Sequence, residues 1–225
     1  MAERRRSTAT TTFGTSSRES HDASAFYARF TPPVLSDDTE VIAVDPTTLA
    51  QQAVLGSSTD MSAVLPDKSV ALVVTSPPYF VGKEYEDEVL RAAKDSDPLS
   101  VVPGSYREYL DMLHAVFAEC ARVLEPGGRI AINVANLGRK PYRSLSSDVI
   151  RILEDLGLLL RGEIIWQKGK TTSGSCAWGS FKSPANPVLR DTTERVIVAS
   201  KGRFDRALSQ EERRKRGLPH LASTN

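Results

Sequence analysis

The sequence has few of the residues that build disulfide frameworks and metal sites. Only two cysteines, Cys120 and Cys176, occur among its 225 residues, and its three histidines are scattered without metal-ligand spacing. No apolar run approaches the roughly 18 residues of a membrane span, and no apolar stretch follows the arginines near the start of the chain. These absences argue against a disulfide scaffold, a zinc module and a membrane protein. They predict a cytoplasmic protein that binds no metal.

Charge is nearly balanced overall but unevenly spread. The formal net charge is +1, yet residues 81–100 hold six acidic and three basic side chains, whereas residues 161–203 hold eight basic and three acidic ones. A basic half is typical of a protein with an anionic partner. Charged side chains that only face solvent give the same distribution, so this pattern alone does not establish an anionic partner.

Strand and helix patterns alternate along the chain, which predicts an α/β fold with right-handed crossovers. The predicted strands are 69–74, 129–135, 163–168 and 194–200, and the predicted helices between them start at Ser105 and cover about 145–156. The first strand is apolar without alternation, which predicts that both of its faces are covered. Residues 1–20 are rich in Ser, Thr and Arg and are predicted to form a disordered tail.

Ser76-Pro77-Pro78-Tyr79 directly follows the first predicted strand. Proline ends a strand because it has no amide hydrogen to donate, and two consecutive prolines stiffen the backbone where an ordinary turn would use Gly, Asn or Asp. In open α/β sheets, ligands lie beyond the carboxyl ends of the strands. This rigid corner is therefore a candidate binding site. The alternative is a strand that ends at proline and leads into an ordinary loop.

Four segments in order resemble the DNA amino-methyltransferases, which methylate cytosine N4 or adenine N6. They are TSPPY after VALVV, CARVLEPGGRIAINV (120–134), GEIIWQKG (162–169) and AWGSFKSPANPVLRDTTERVIVASKGRF (177–204). Their order is similar to that of the subgroup whose catalytic segment precedes its cofactor-binding half. The resemblance covers roughly residues 55–204. It implies that residues 21–204 are the catalytic, DNA-facing part of a class I, Rossmann-like fold that uses S-adenosylmethionine to methylate double-stranded DNA.

The same resemblance assigns roles to the four corner residues. It implies that the Ser76 side chain and the Pro77 carbonyl accept the two amino hydrogens of a base flipped out of the duplex. Pro78 would fix the direction of that carbonyl, and Tyr79 would stack on the base. In this family serine at the first position is commoner in cytosine-N4 enzymes, so we expect cytosine N4 rather than adenine N6.

Residues 170–190 form a polar, basic stretch that we expect to be a DNA-contact loop. Lys168, Lys170, Lys182 and Arg190 could contact phosphates. A surface loop whose aromatic side chains pack on the sheet is the alternative.

The sequence lacks the glycine-rich turn after a strand with which such enzymes hold their cofactor. The residues that bind S-adenosylmethionine are therefore unknown. In relatives this unit follows the segment matching 177–204, so we expect the chain to be truncated, with 205–225 as the start of a missing half. That half, or a second polypeptide, would supply the cofactor site. Gly56-Ser57 also stands where relatives have Gly-Asp, and Asp60 is a candidate substitute.

Two other functions fit parts of the sequence. The first is a catalytically inactive remnant that still binds DNA. The second is a Pro-Pro-Tyr methyltransferase acting on RNA or on a protein glutamine. Members of that second group usually have Asn where this chain has Ser76, and their glycine-rich loop comes earlier in the chain.

Overall fold

The structure is a computed structural model that describes residues 28–29, 32–44, 53–80, 103–137, 141–168 and 191–218. The chain divides into two units, residues 1–34 and 35–225, and the sheet lies in the second. Within the described ranges, every helix is too short or too polar to cross a bilayer. The same ranges hold no cluster of three His, Cys, Asp or Glu side chains suited to a metal ion.

The described part of the chain forms a four-stranded sheet with helices in the connections. In chain order the elements are β1 (Val70–Thr75), α1 (Tyr106–Val123), β2 (Leu124–Val134), α2 (Leu145–Asp155), β3 (Leu158–Gln167), β4 (Thr193–Lys201) and α3 (Gln210–Lys215). The strand order is β1-β2-β4-β3; β1 is parallel to β2, and β4 is antiparallel to both of its neighbours. The predicted α/β class is confirmed. Strands β2 and β3 begin five residues earlier than the sequence pattern predicts.

α1 begins where the sequence predicts, and β2 follows it with no residue between them. The Ser105 side chain caps it by accepting a hydrogen bond from the Glu108 amide at 3.2 Å. Pro126-Gly127-Gly128, a sequence that commonly ends a helix, lies within β2. Gly127 has φ 74°, and a β-carbon there would be 2.0 Å from the main-chain oxygen of Asp205. Only glycine fits where these two backbone segments meet.

One face of the sheet carries the core. Ile130, Ile132 and Val134 alternate along β2 and are fully buried, as alternation in a half-covered strand requires. They pack against buried side chains of both long helices and of β4, namely Tyr109, Leu113, Phe117, Val149, Leu153, Ile197 and Ala199. α1 and α2 therefore cover this face.

On the opposite face, the two outer strands expose apolar side chains. Leu72 and Val74 of β1 are 52% and 72% exposed, and Ile164 and Trp166 of β3 are 61% and 55% exposed. The strand registers place these four side chains on the same face. The prediction that both faces of β1 are covered is therefore wrong for the described part of the chain. An unbroken apolar run shows that a strand can be buried, not that both faces are covered.

α3 joins the core through an ion pair. The Arg213 guanidinium donates to both carboxylate oxygens of Glu125 at 2.9 Å, and both residues are buried. Arg206 contacts the same carboxylate at 3.2 Å. The highly charged segment QEERRKR (210–216) thus places one of its arginines inside the protein.

Candidate active site

The corner predicted to bind the target lies at the carboxyl end of β1. Ser76 and Pro78 are exposed, Pro77 is buried and Tyr79 is partly buried. β2, parallel to β1, ends beside it, so polar groups at the end of β2 can reach the corner. This is the position that the α/β topology predicts for a ligand site.

Aromatic contacts with α1 fix the far side of the corner. The Tyr109 hydroxyl donates to the Pro78 carbonyl at 2.7 Å. The Phe80 ring stacks on the Tyr109 ring, with centroids 5.5 Å apart and planes inclined by 21°. Tyr106 lies against both rings, and its own hydroxyl donates to Asp148 at 2.7 Å. Two aromatic side chains of a core helix thus support the proline pair.

Polar contacts fix the near side of the corner. The Ser76 and Tyr79 hydroxyls are hydrogen-bonded at 3.2 Å, and the Asn133 side-chain amide donates to the Tyr79 oxygen at 3.2 Å. The same amide nitrogen donates to Glu194 at 2.6 Å. Lys168 forms an ion pair with the other oxygen of that carboxylate. These five residues form a continuous chain of contacts, which we call the corner network.

Burial and charge act together on the ionisable groups of the corner network. Burial raises the pKa of Tyr79, so this residue stays a neutral phenol at physiological pH. Burial alone would raise the pKa of Glu194 as well, but the hydrogen bonds from Lys168 and Asn133 outweigh it and leave the pKa below its ordinary value. Glu194 is therefore a carboxylate, which can only accept hydrogen bonds.

The structure brings together some of the predicted site residues. Ser76, Pro77, Pro78 and Tyr79 form one corner, and Lys168 lies near it through Glu194. Lys170, Lys182 and Arg190 lie outside the described residues, as does the whole of the expected DNA-contact loop, residues 170–190. The roles in amine binding, base stacking and phosphate contact stay predictions.

Sequence reasoning missed three residues of this site: Tyr109, Asn133 and Glu194. Asn133 interrupts an apolar strand and Glu194 stands at the start of another, and a polar residue in such a strand was the signal that could have drawn attention to them. Tyr109 gave no signal, because a tyrosine on the apolar face of a helix is ordinary core. Asp60, the candidate substitute for the carboxylate of relatives, accepts hydrogen bonds from Ser62.

The described residues only partly fit S-adenosylmethionine. The corner could hold the group that is methylated, but none of the four described strands runs into a glycine-rich turn. β1 is followed by Ser76, β2 by Ala135, β3 by Lys168 and β4 by a single glycine, Gly202. The cofactor-binding residues therefore remain unassigned within the described part of the chain.

Comparison with known proteins decides the family. Residues 70–218 match a family model for N6 and N4 methylases that is described as DNA methylase. The chain belongs to this family. The match spans β1, the Ser76–Tyr79 corner and every later element of the sheet, and it confirms the resemblance to amino-methyltransferases.

Individual relatives of this DNA methylase chain are type II methyltransferases. M.MjaVI of Methanocaldococcus jannaschii is 30% identical over 138 residues, which are 61% of this chain and 64% of that protein. M.BglII of Bacillus subtilis is 33% identical over 113 residues, which are 49% of this chain and 27% of that protein. The chain thus spans less than two thirds of these relatives. The solved structure of TTHA0409 from Thermus thermophilus, complexed with S-adenosyl-L-methionine, is 28% identical with a TM-score of 0.49, covering 73% of this chain and 59% of that one.

Proposed function

We propose that this protein is part of a DNA methyltransferase that methylates the exocyclic amine of a base flipped out of the duplex. The observation that carries the proposal is the Ser76–Tyr79 corner, held at the carboxyl end of β1 by α1 on one side and by the corner network on the other. Family membership supports the reaction class. S-adenosylmethionine, when bound, would supply the methyl group.

The chemistry explains why a rigid pair of acceptors is useful. The lone pair of an exocyclic amine is delocalised into the base ring, so the nitrogen is a poor nucleophile. Acceptors on both amino hydrogens favour a tetrahedral nitrogen and stabilise the positive charge that develops on it. In our proposal the Ser76 hydroxyl and the Pro77 carbonyl are these acceptors. Pro78 holds the backbone direction, and Tyr79 packs on the base, which offsets part of the few kcal/mol that flipping costs.

We propose cytosine N4 as the target in preference to adenine N6. The support is Ser76 at the first position of the motif, where the family more often has serine in cytosine-N4 enzymes. Such an enzyme would act on DNA in the cytoplasm.

We also propose that a further segment or a second polypeptide supplies the cofactor-binding turn. The described strands end without a glycine-rich turn, and the apolar face that includes Leu72, Val74 and Ile164 is open. Apolar side chains grouped on an exposed face mark a surface that packs against another segment or protein. Calorimetry with S-adenosylmethionine tests this point: micromolar binding by the 225-residue chain alone would contradict it.

Nucleoside analysis tests the reaction. DNA from cells that express this chain together with the segment or polypeptide that supplies the cofactor site is digested, and its nucleosides are separated by mass. We expect N4-methylcytosine, which should vanish in cells expressing Ser76→Ala. Detection of N6-methyladenine instead would support the proposed reaction but show that adenine, not cytosine, is the target base. The absence of any new mark, with folded protein present and DNA still bound, would favour the inactive DNA-binding remnant.

A further inference from the structure

We infer that Glu194 is a positioning residue for methyl transfer: it orients the Asn133 amide, which holds the Tyr79 hydroxyl against Ser76. The inference rests on the proposed function. In this inference the Glu194 carboxylate of β4 and the Asn133 amide of β2 both help to set the geometry of the corner that follows β1.

The first step is the orientation of the Asn133 amide. Glu194 is ionised and accepts from the Asn133 amide nitrogen at 2.6 Å. A flipped amide would turn its oxygen towards the carboxylate, and the two acceptors would repel. The observed orientation has a cost, because the Asn133 Oδ1 atom is buried without a hydrogen-bond partner in the described structure. A buried acceptor without a partner is unfavourable, so the contact with Glu194 must outweigh this cost.

The second step leads from the amide to the serine. The same Asn133 nitrogen donates to the Tyr79 oxygen at 3.2 Å, which fixes the position of the phenol at the end of its side chain. The Tyr79 hydroxyl then shares a 3.2 Å hydrogen bond with the exposed Ser76 hydroxyl. A serine hydroxyl on an exposed loop otherwise rotates freely among its rotamers. This contact restricts it before a base arrives, and such pre-organisation lowers the barrier to reaction.

The third step is what keeps Glu194 in place. Its side chain is only 7% exposed, and Lys168 pairs with the oxygen that does not contact Asn133. The Lys168 amide also donates to the Thr192 carbonyl at 3.0 Å, which ties the segment after β3 to the start of β4. A buried carboxylate held from both sides has one orientation, as a positioning group requires.

Variant kinetics test the inference in the full protein. Glu194→Gln keeps the shape of the side chain but removes its charge, so the amide is no longer locked. We expect kcat for DNA methylation to fall about tenfold with little change in KM for DNA, since the contact acts on the geometry of the reacting complex. Glu125→Gln is the matched control. Glu125, like Glu194, is a buried glutamate in an ion pair with a residue of another element, and its partner is Arg213. This substitution should reduce stability and leave kcat unchanged.

A double-mutant cycle separates positioning from simple destabilisation. Tyr79→Phe keeps the ring and removes the hydroxyl through which the effect is transmitted. In that background Glu194→Gln should add almost nothing to the loss in kcat, because residues that act through one contact are not additive. A full additional tenfold loss would show that Glu194 acts by another route and would overturn the inference.

Titration of Tyr79 gives a readout that needs no methyl transfer. Burial raises the pKa of Tyr79 first, and the Glu194 carboxylate raises it further. With ring-labelled tyrosine, and with Tyr79→Phe to assign the resonance, Glu194→Gln should move the Tyr79 titration to lower pH, whereas Glu125→Gln should not. A protein that shows this shift but never methylates DNA would refute the proposed function and leave the contact between Glu194 and the corner standing. An active enzyme in which Glu194→Gln behaves like Glu125→Gln in both readouts would refute the inference.

Discussion

The Tyr109 hydroxyl donates a 2.7 Å hydrogen bond to the main-chain carbonyl of Pro78. Tyr109 is buried in the first turn of α1, whereas Pro78 belongs to the exposed corner that we propose binds the target amine. A core helix thus fixes the backbone of the candidate site. Its geometry depends on helix packing as well as on the two prolines.

Tyr109→Phe should therefore affect both stability and turnover. Loss of the hydroxyl removes the hydrogen bond to the Pro78 carbonyl, and we expect the free energy of unfolding to fall by about 1 kcal/mol. Small misplacements of a catalytic group are costly, so kcat should fall by roughly tenfold. Urea unfolding and steady-state methylation measure the two effects. Tyr142→Phe, at an exposed position, should change neither. Full turnover in Tyr109→Phe would show that the prolines alone hold the corner.

The open face of the sheet predicts an asymmetry between two isoleucines. Ile132 is fully buried and Ile164 is 61% exposed. Ile132→Ala should lower the free energy of unfolding by about 3 kcal/mol, through lost burial and a new cavity. Ile164→Ala should cost less than about 1 kcal/mol. Chemical denaturation of the purified chain measures both. A large cost at Ile164 would mean that something covers this face in solution.

The sequence was sufficient to predict the chain order of the four strands and of the two longer helices. A cap at Ser105, helical spacing after it and apolar runs on either side are local signals, and the structure has a helix and two parallel strands there. The corner itself was predicted from four letters at the end of a strand, supported by a resemblance that the family match confirms.

The contacts that hold the corner could not be predicted in this way. Asn133 meets Tyr79 across 54 positions and Glu194 across 61, and both contacts depend on which strands are neighbours. β4 inserts between β2 and β3, an order that no local pattern encodes. The exposure of Leu72 was missed for a related reason. Apolar side chains show what can be buried, while the number of layers over a sheet is a property of the whole fold.

DNA binding should depend on the cations predicted beyond β3. Replacing Lys170, Lys182 and Arg190 together by neutral residues should flatten the dependence of DNA affinity on salt, because each phosphate contact contributes to that slope. Fluorescence anisotropy with a labelled duplex at several salt concentrations measures it. Neutralising Arg151, Lys215 and Arg216, which lie on helix α2 and at the end of α3, is the matched control for net charge. An equal change of slope in both triple variants would mean that general charge, not this segment, sets the affinity.

Lys168 should behave differently from those three cations, because it pairs with a buried carboxylate. Glu194 has a pKa below its ordinary value of 4.5, so the pair stabilises the protein at neutral pH, and that stabilisation is lost as the pH falls through the pKa of the folded state.

In Lys168→Met, burial still raises the pKa of Glu194, and only the remaining hydrogen bonds lower it. We therefore expect this pKa to be higher than in the unmodified protein. The folded state then favours the protonated form, and the variant loses stability as the pH rises. We expect a deficit of about 1–3 kcal/mol at pH 7 that shrinks towards pH 4. Urea unfolding at both values measures it, and Lys215→Met, which breaks an exposed pair with Glu211, should show almost no deficit at either. A deficit at Lys168 that does not change with pH would mean that the lysine stabilises the fold by packing and not through its charge on Glu194.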